Sequence, residues 1–126
     1  MRKIAPNVLR QIAVRDDDWV EKAHALVADL KNQDKERQLR NIQSIAEGSD
    51  SWKALELFIR YQAARSELPK QWAEAAIKQL EGLLSEAQSI AGKYGADIKT
   101  VHMEIVSRVL GYAVRWHVWD VKGAEK

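Results

Sequence analysis

Apolar residues in this chain recur at three- and four-residue spacing, the period of an α-helix, along nearly its whole length. After Asp16-Asp17-Asp18, which reads as a cap with acids suited to the helix dipole, positions 19, 20, 23, 26, 27 and 30 form one stripe, ended by Asn32. A second helix is expected from near Asp34 to Gly48, burying Leu39, Ile42, Ile45 and Ala46, with Ser49-Asp50-Ser51 as turn and new cap. The third, about Trp52 to Ser66, is apolar nearly all round. Trp52, Leu55, Phe58, Ile59 and Ala63 take one side, and Ala54, Leu57, Tyr61 and Ala64 most of the other. Such a helix is expected at the centre of a bundle or against a partner. Pro69 suits the first turn of a fourth helix, with apolar positions 72, 76, 77, 80, 83, 84, 87 and 90, closed by Gly92 and Gly95. Asp97 opens a fifth, whose stripe runs through Ile98, Val101, Ile105, Val109, Tyr112 and Trp116. The fold class is therefore all-α: a compact bundle of about five helices joined by short loops.

A chain of 126 residues, 46% of them hydrophobic, is one domain with a single core, spanning 1–126. The basic leader 1–15 and the tail 122–126 are expected to be flexible. With no cysteine there is no disulfide framework and no thiolate metal site. Apolar runs never exceed four residues, so no membrane partner is expected. Met1-Arg2-Lys3-Ile4-Ala5-Pro6 is basic but lacks the apolar stretch of a secretory signal, and a cytoplasmic protein is expected. The net charge is only +2, but it is unevenly placed: residues 1–15 carry +4 and residues 16–30 carry −4.

Patterns that carry chemistry are absent. No HExxH, phosphate-binding loop or dinucleotide fingerprint occurs. Glu21-Lys22-Ala23-His24 is a single ExxH, whereas a di-iron bundle needs two, with further glutamates. No arginine stands four to six residues before a histidine, as a helical ribonuclease of the HEPN kind would want. No catalytic residue, metal or cofactor is therefore expected.

What remains is a set of cations on helix faces: Arg37 and Arg40 one turn apart, Lys53 and Arg60 on the polar strip of the third helix, Arg65 near its end, and Arg108 and Arg115 two turns apart beside Gly111. They fit either a solvated face with salt bridges or a phosphate-binding surface. Trp19, Trp52, Trp72 and Trp116 fall on apolar stripes and are expected in the core. Trp119, at a stripe edge, suits a neighbouring subunit or the end of the bundle.

Two segments then carry a resemblance. Lys35-Glu36-Arg37-Gln38-Leu39-Arg40-Asn41-Ile42, followed by Leu57-Phe58-Ile59-Arg60-Tyr61-Gln62-Ala63-Ala64-Arg65, resembles the small subunit of type III-A (Csm-type) CRISPR effector complexes. Gly111-Tyr112-Ala113-Val114-Arg115-Trp116-His117 resembles that family's closing helix more loosely. The family's Thr or Ser before the Leu-Arg run is replaced here by Asn32-Gln33-Asp34. The resemblance implies a non-catalytic subunit that stacks with copies of itself beside other subunits of the effector complex and holds crRNA and target RNA through their phosphates. Arg40 and Arg65 are the basic residues matched by position; Arg37, Lys53, Arg60, Arg108 and Arg115 join them from face geometry alone. Backbone contacts suffice for such a subunit, because guide pairing reads the sequence. The other function that the residues allow is a helical protein-interaction adaptor, docking through the third helix.

Overall fold

The computed structural model describes residues 2–123, and among them every regular element is helical. Seven α-helices follow one another: α1 (Pro6–Ala13), α2 (Asp16–Val27), α3 (Glu36–Gly48), α4 (Trp52–Ala64), α5 (Lys70–Gly82), α6 (Leu84–Tyr94) and α7 (Ile98–Lys122). A turn of 3-10 helix, Ala28–Leu30, extends α2. The two helices beyond the expected five have separate origins. The stretch read as one fourth helix bends at Leu83, which keeps right-handed helical angles between α5 and α6. The basic leader is not a free segment but folds into α1, with Pro6 at its start and Val8 and Ile12 buried.

Local signals set most boundaries. The Ser51 hydroxyl accepts the Ala54 N–H at 3.1 Å, and the Asp97 carboxylate accepts that of Thr100 at 3.0 Å, capping α4 and α7. Gly95, at φ 66°, closes α6 in the left-handed region that glycine adopts without strain. Ser66 stops α4 at φ 63° without being glycine. The three aspartates lie inside the first turn of α2, after Arg15 rather than as its cap.

The longest helix, α7, is the centre of the bundle and packs against α2, α3 and α6. Its contacts set directions. Arg108 pairs with Asp16, the Trp116 indole donates to the Val20 carbonyl at 2.9 Å, and His24 faces Asp120, so α2 and α7 run parallel. Against α3 the order reverses: His117 meets Lys35, Gly111 meets Gln43, and Lys122 meets Glu36. Helix α4 is peripheral, packed on α5 and α3. It buries Leu55, Ile59, Gln62 and Ala63, while Ala54, Leu57, Tyr61 and Ala64 face outward. The all-round apolar helix expected at the centre thus has one face uncovered.

Among the expected core tryptophans, Trp19 and Trp72 are buried, each donating its indole N–H to a backbone carbonyl, of Ile12 and Leu26 respectively, at 2.8 Å. Trp52 and Trp116 are half-buried, and Trp119 is 62% exposed. No helix among the described residues is long and apolar enough to cross a membrane.

Candidate nucleic-acid interface

The hairpin of α3 and α4 gathers one group of cations. Its two helices are joined by the short turn 49–51, so the start of α3 lies beside the end of α4. The Gln38 amide ties them by donating to the Glu67 carboxylate at 3.1 Å. Arg37 and Arg40 on α3 and Arg65 just after α4 are all exposed at this end. Lys122 joins them from α7. Its ammonium lies 3.0 Å from Oε1 of Glu36, whose Oε2 takes the Arg40 guanidinium at 2.8 Å. Hydrogen bonds from Lys122 and then Arg40 hold the Glu36 carboxyl below the ordinary carboxylate range. Two cations share that single carboxylate. With Asp34 and Glu67 also at this end, Arg37, Arg40, Arg65 and Lys122 face three carboxylates, which leaves a small positive surplus.

Arg37 and Arg65 have no carboxylate partner among the described residues. Arg65 instead engages an aromatic ring. Its Nη1 donates to the Tyr61 hydroxyl at 3.0 Å, with the guanidinium carbon 5.4 Å from the ring centre.

Besides Arg40, which shares Glu36 with Lys122, three of the cations singled out in the sequence are paired with carboxylates. Arg60 is held by Glu56 at 3.1 Å and by Glu74 of α5, and the bonds it donates to these two carboxylates raise its pKa above the ordinary arginine value. Lys53 sits 3.6 Å from Glu56. Arg108 is partly buried, 3.1 Å from Asp16 and 3.7 Å from Glu104, so it clamps α7 to the start of α2. Arg60 and Arg108 have carboxylates where a phosphate would have to come, whereas Lys53 is 84% exposed beside its one carboxylate. The structure does not bring all seven residues onto one face.

Arg115 is exposed and leans over Tyr112, 5.6 Å from the ring centre. Together with Val20 and Trp116 these two line a shallow notch of about 220 Å³. The far side of Trp116 is occupied within the bundle: His24 stacks on it with ring centres 3.8 Å apart and planes 8° from parallel, and its Nε2 lies 3.5 Å from Asp120. His24 is therefore partnered by an aromatic ring and a single acid. Among the described residues, no three histidine, aspartate or glutamate side chains converge as a metal ion would need.

Sequence reasoning missed the roles of Arg2, Tyr61 and Lys122. Arg2, placed in a flexible leader, has a side chain only 7% exposed, donating to the Ala46 and Ser49 carbonyls and pairing with Asp50 and Glu104. No local pattern announces such a contact. Tyr61 was assigned to an apolar side, yet its four-residue spacing to Arg65 was a signal for the ring–guanidinium couple. Lys122 was assigned to a frayed tail but ends α7; residues 124–126 lie outside the described residues. Gly111, beside Arg108 and Arg115 in the sequence, faces the Gln43 amide of α3 and so gives a ligand no open approach to the backbone.

Compared with known proteins, the chain matches no family model, no curated protein and no solved structure.

Proposed function

We propose that the chain is a non-catalytic small subunit of an RNA-guided effector ribonucleoprotein, related to the Csm-type CRISPR small subunits, that holds guide and target RNA by their phosphates. The observation that carries this reading is the placement of Arg40 and Arg65. These are the two basic residues matched by the resemblance, and they are exposed at the same end of the α3–α4 hairpin, Arg40 paired with Glu36 and the exposed Arg37 one turn before it. Arginine suits the task because its planar fork grips phosphate oxygens and keeps its charge. In this reading the subunit works beside copies of itself and other subunits, and Arg60 and Arg108 serve the fold more than the RNA.

The test is affinity for single-stranded and duplex RNA over a range of salt, with the chain alone and in the assembled complex. Arg37→Ala/Arg40→Ala should weaken binding whatever the RNA sequence and flatten the log–log salt slope by about 0.7–0.9 for each lost phosphate contact. Unchanged affinity and slope would remove this surface from the interface.

A second reading, a protein-interaction adaptor, is favoured by one observation: Leu57 and Tyr61 on α4 are 69% and 50% exposed, flanked by Ala54 and Ala64. An adaptor would show no salt-dependent RNA affinity.

A further inference from the structure

Tyr61 is the one aromatic ring on the uncovered face of α4, and its surroundings are asymmetric. Leu57, one turn before it, is the most exposed large apolar side chain in the described structure, and Ala54 and Ala64 leave the stripe low on either side. On the inner side the ring leans towards Phe58, with centres 6.5 Å apart. At its hydroxyl end stands Arg65, which like Arg37 has no carboxylate partner among the described residues. Arg60, on the same helix, is by contrast held by two carboxylates. A flat apolar surface edged by one unneutralised, hydrogen-bonded arginine matches a ligand that is flat and apolar on one part and anionic on the next.

We propose that Tyr61 and Arg65 form a nucleotide-stacking site. An unpaired base of single-stranded RNA lies on the Tyr61 ring and the Leu57 side chain, and the adjoining phosphate is taken by Arg65. The inference rests on the RNA-binding reading and deepens it, since phosphate contacts alone do not tell paired from unpaired RNA. Aromatic rings do, because only an unstacked base exposes its face. The bond from Arg65 to the Tyr61 hydroxyl holds the guanidinium over the hydroxyl end of one ring face, its carbon 5.4 Å from the ring centre, so the base takes the other face and its phosphate reaches Arg65 past the hydroxyl. Charge selects this occupant over an apolar partner helix, which would bury Arg65 without an acid to meet it.

The full chain is titrated at about 50 mM salt with a single-stranded oligoribonucleotide carrying a fluorescent adenine analogue, and separately with a labelled RNA duplex. The wild-type protein should bind both and quench the analogue. Tyr61→Leu keeps an apolar side chain but removes the π face. It should abolish quenching and weaken single-strand binding by about fivefold to a hundredfold, with duplex affinity unchanged. Tyr61→Phe keeps the ring and should restore quenching. Wild-type single-strand affinity in Tyr61→Leu overturns the site, as does an equal loss for single strand and duplex. A wild-type protein that binds duplex but not single strand also overturns it and leaves phosphate binding standing. Binding to neither RNA overturns both readings, and points to a protein on this face, which would tolerate leucine.

Discussion

The imidazole Nε2 of His117 accepts the backbone N–H of Lys35 at 2.9 Å, so a side chain from the last helix caps the first turn of α3. Since Nε2 accepts, the ring is neutral with its proton on Nδ1. His117 is fully buried, and burial pushes its pKa below the ordinary histidine value against the pull of Asp34, Asp120 and Glu36. The start of α3, which carries Arg37 and Arg40, is thus held in place by a group that works only when neutral.

Protonating His117 would remove the acceptor and bury a charge. The unfolded chain titrates at about 6.5, whereas the folded one resists the proton to lower pH. Between those two values the unfolded state binds more protons, so stability is full at neutral pH and falls as the pH drops below about 6.5. Thermal melts followed by circular dichroism from about pH 7.5 to about pH 5 should show this decline, and His117→Gln, which does not titrate, should flatten it. An equally steep decline in the glutamine variant would place the effect elsewhere.

Tryptophan substitutions should rank by depth. Trp19→Ala empties a fully buried site and removes the donor to the Ile12 carbonyl, so a loss of about 3–5 kcal/mol is expected in chemical denaturation. Trp52 and Phe58 are only half-buried, and their alanine variants should lose less, about 1–3 kcal/mol each. Trp119→Ala should stay within about 0.5 kcal/mol of wild type. A reversed order would mean that the isolated chain packs differently.

Arginine substitutions should separate into two classes. Arg108→Ala unties α7 from Asp16 of α2, and loses the pair with Glu104 one turn back on α7, in a partly buried setting; it should cost about 1–3 kcal/mol of stability. Arg37→Ala and Arg115→Ala remove exposed side chains without carboxylate partners among the described residues and should change stability by less than about 0.5 kcal/mol. Denaturant midpoints for the three variants make the comparison.

Gly111→Ala should stabilise the protein slightly. Gly111 lies inside α7, where alanine is favoured by about 0.8–1 kcal/mol. The added methyl would come within 3.0 Å of the Gln43 amide nitrogen, the far end of a flexible side chain that can move aside. A rise in melting temperature is expected; a clear fall would show that Gln43 is fixed by the α3–α7 contact.

Helical spacing alone determined the fold class of this protein and the interior faces of α2, α3 and α5, because both follow from the 3.6-residue period of one segment. On α7 the expected stripe named Val101, Ile105 and Val109 but not Met103, Val106, Leu110, Ala113 and Val114, buried because neighbours cover several sides, and it wrongly included the exposed Ile98. The caps at Ser51 and Asp97 and the close at Gly95 were legible for the same reason: each depends on residues within one turn. Tertiary structure decided what depends on distant partners. Spacing could not say that α4, apolar on both sides, would lie at the edge with Leu57 and Tyr61 uncovered, or that α7 would take the centre. Nor could it sort the arginines. Arg108 and Arg37 look alike along the chain, but Arg108 meets Asp16, 92 residues away, while Arg37 meets no carboxylate among the described residues. Arg2 reaches Asp50 and Glu104 from a leader that looked free, and α1 exists because the core accepts Val8 and Ile12. A helix of eight residues is marginal by itself, so packing against the rest of the bundle makes it form.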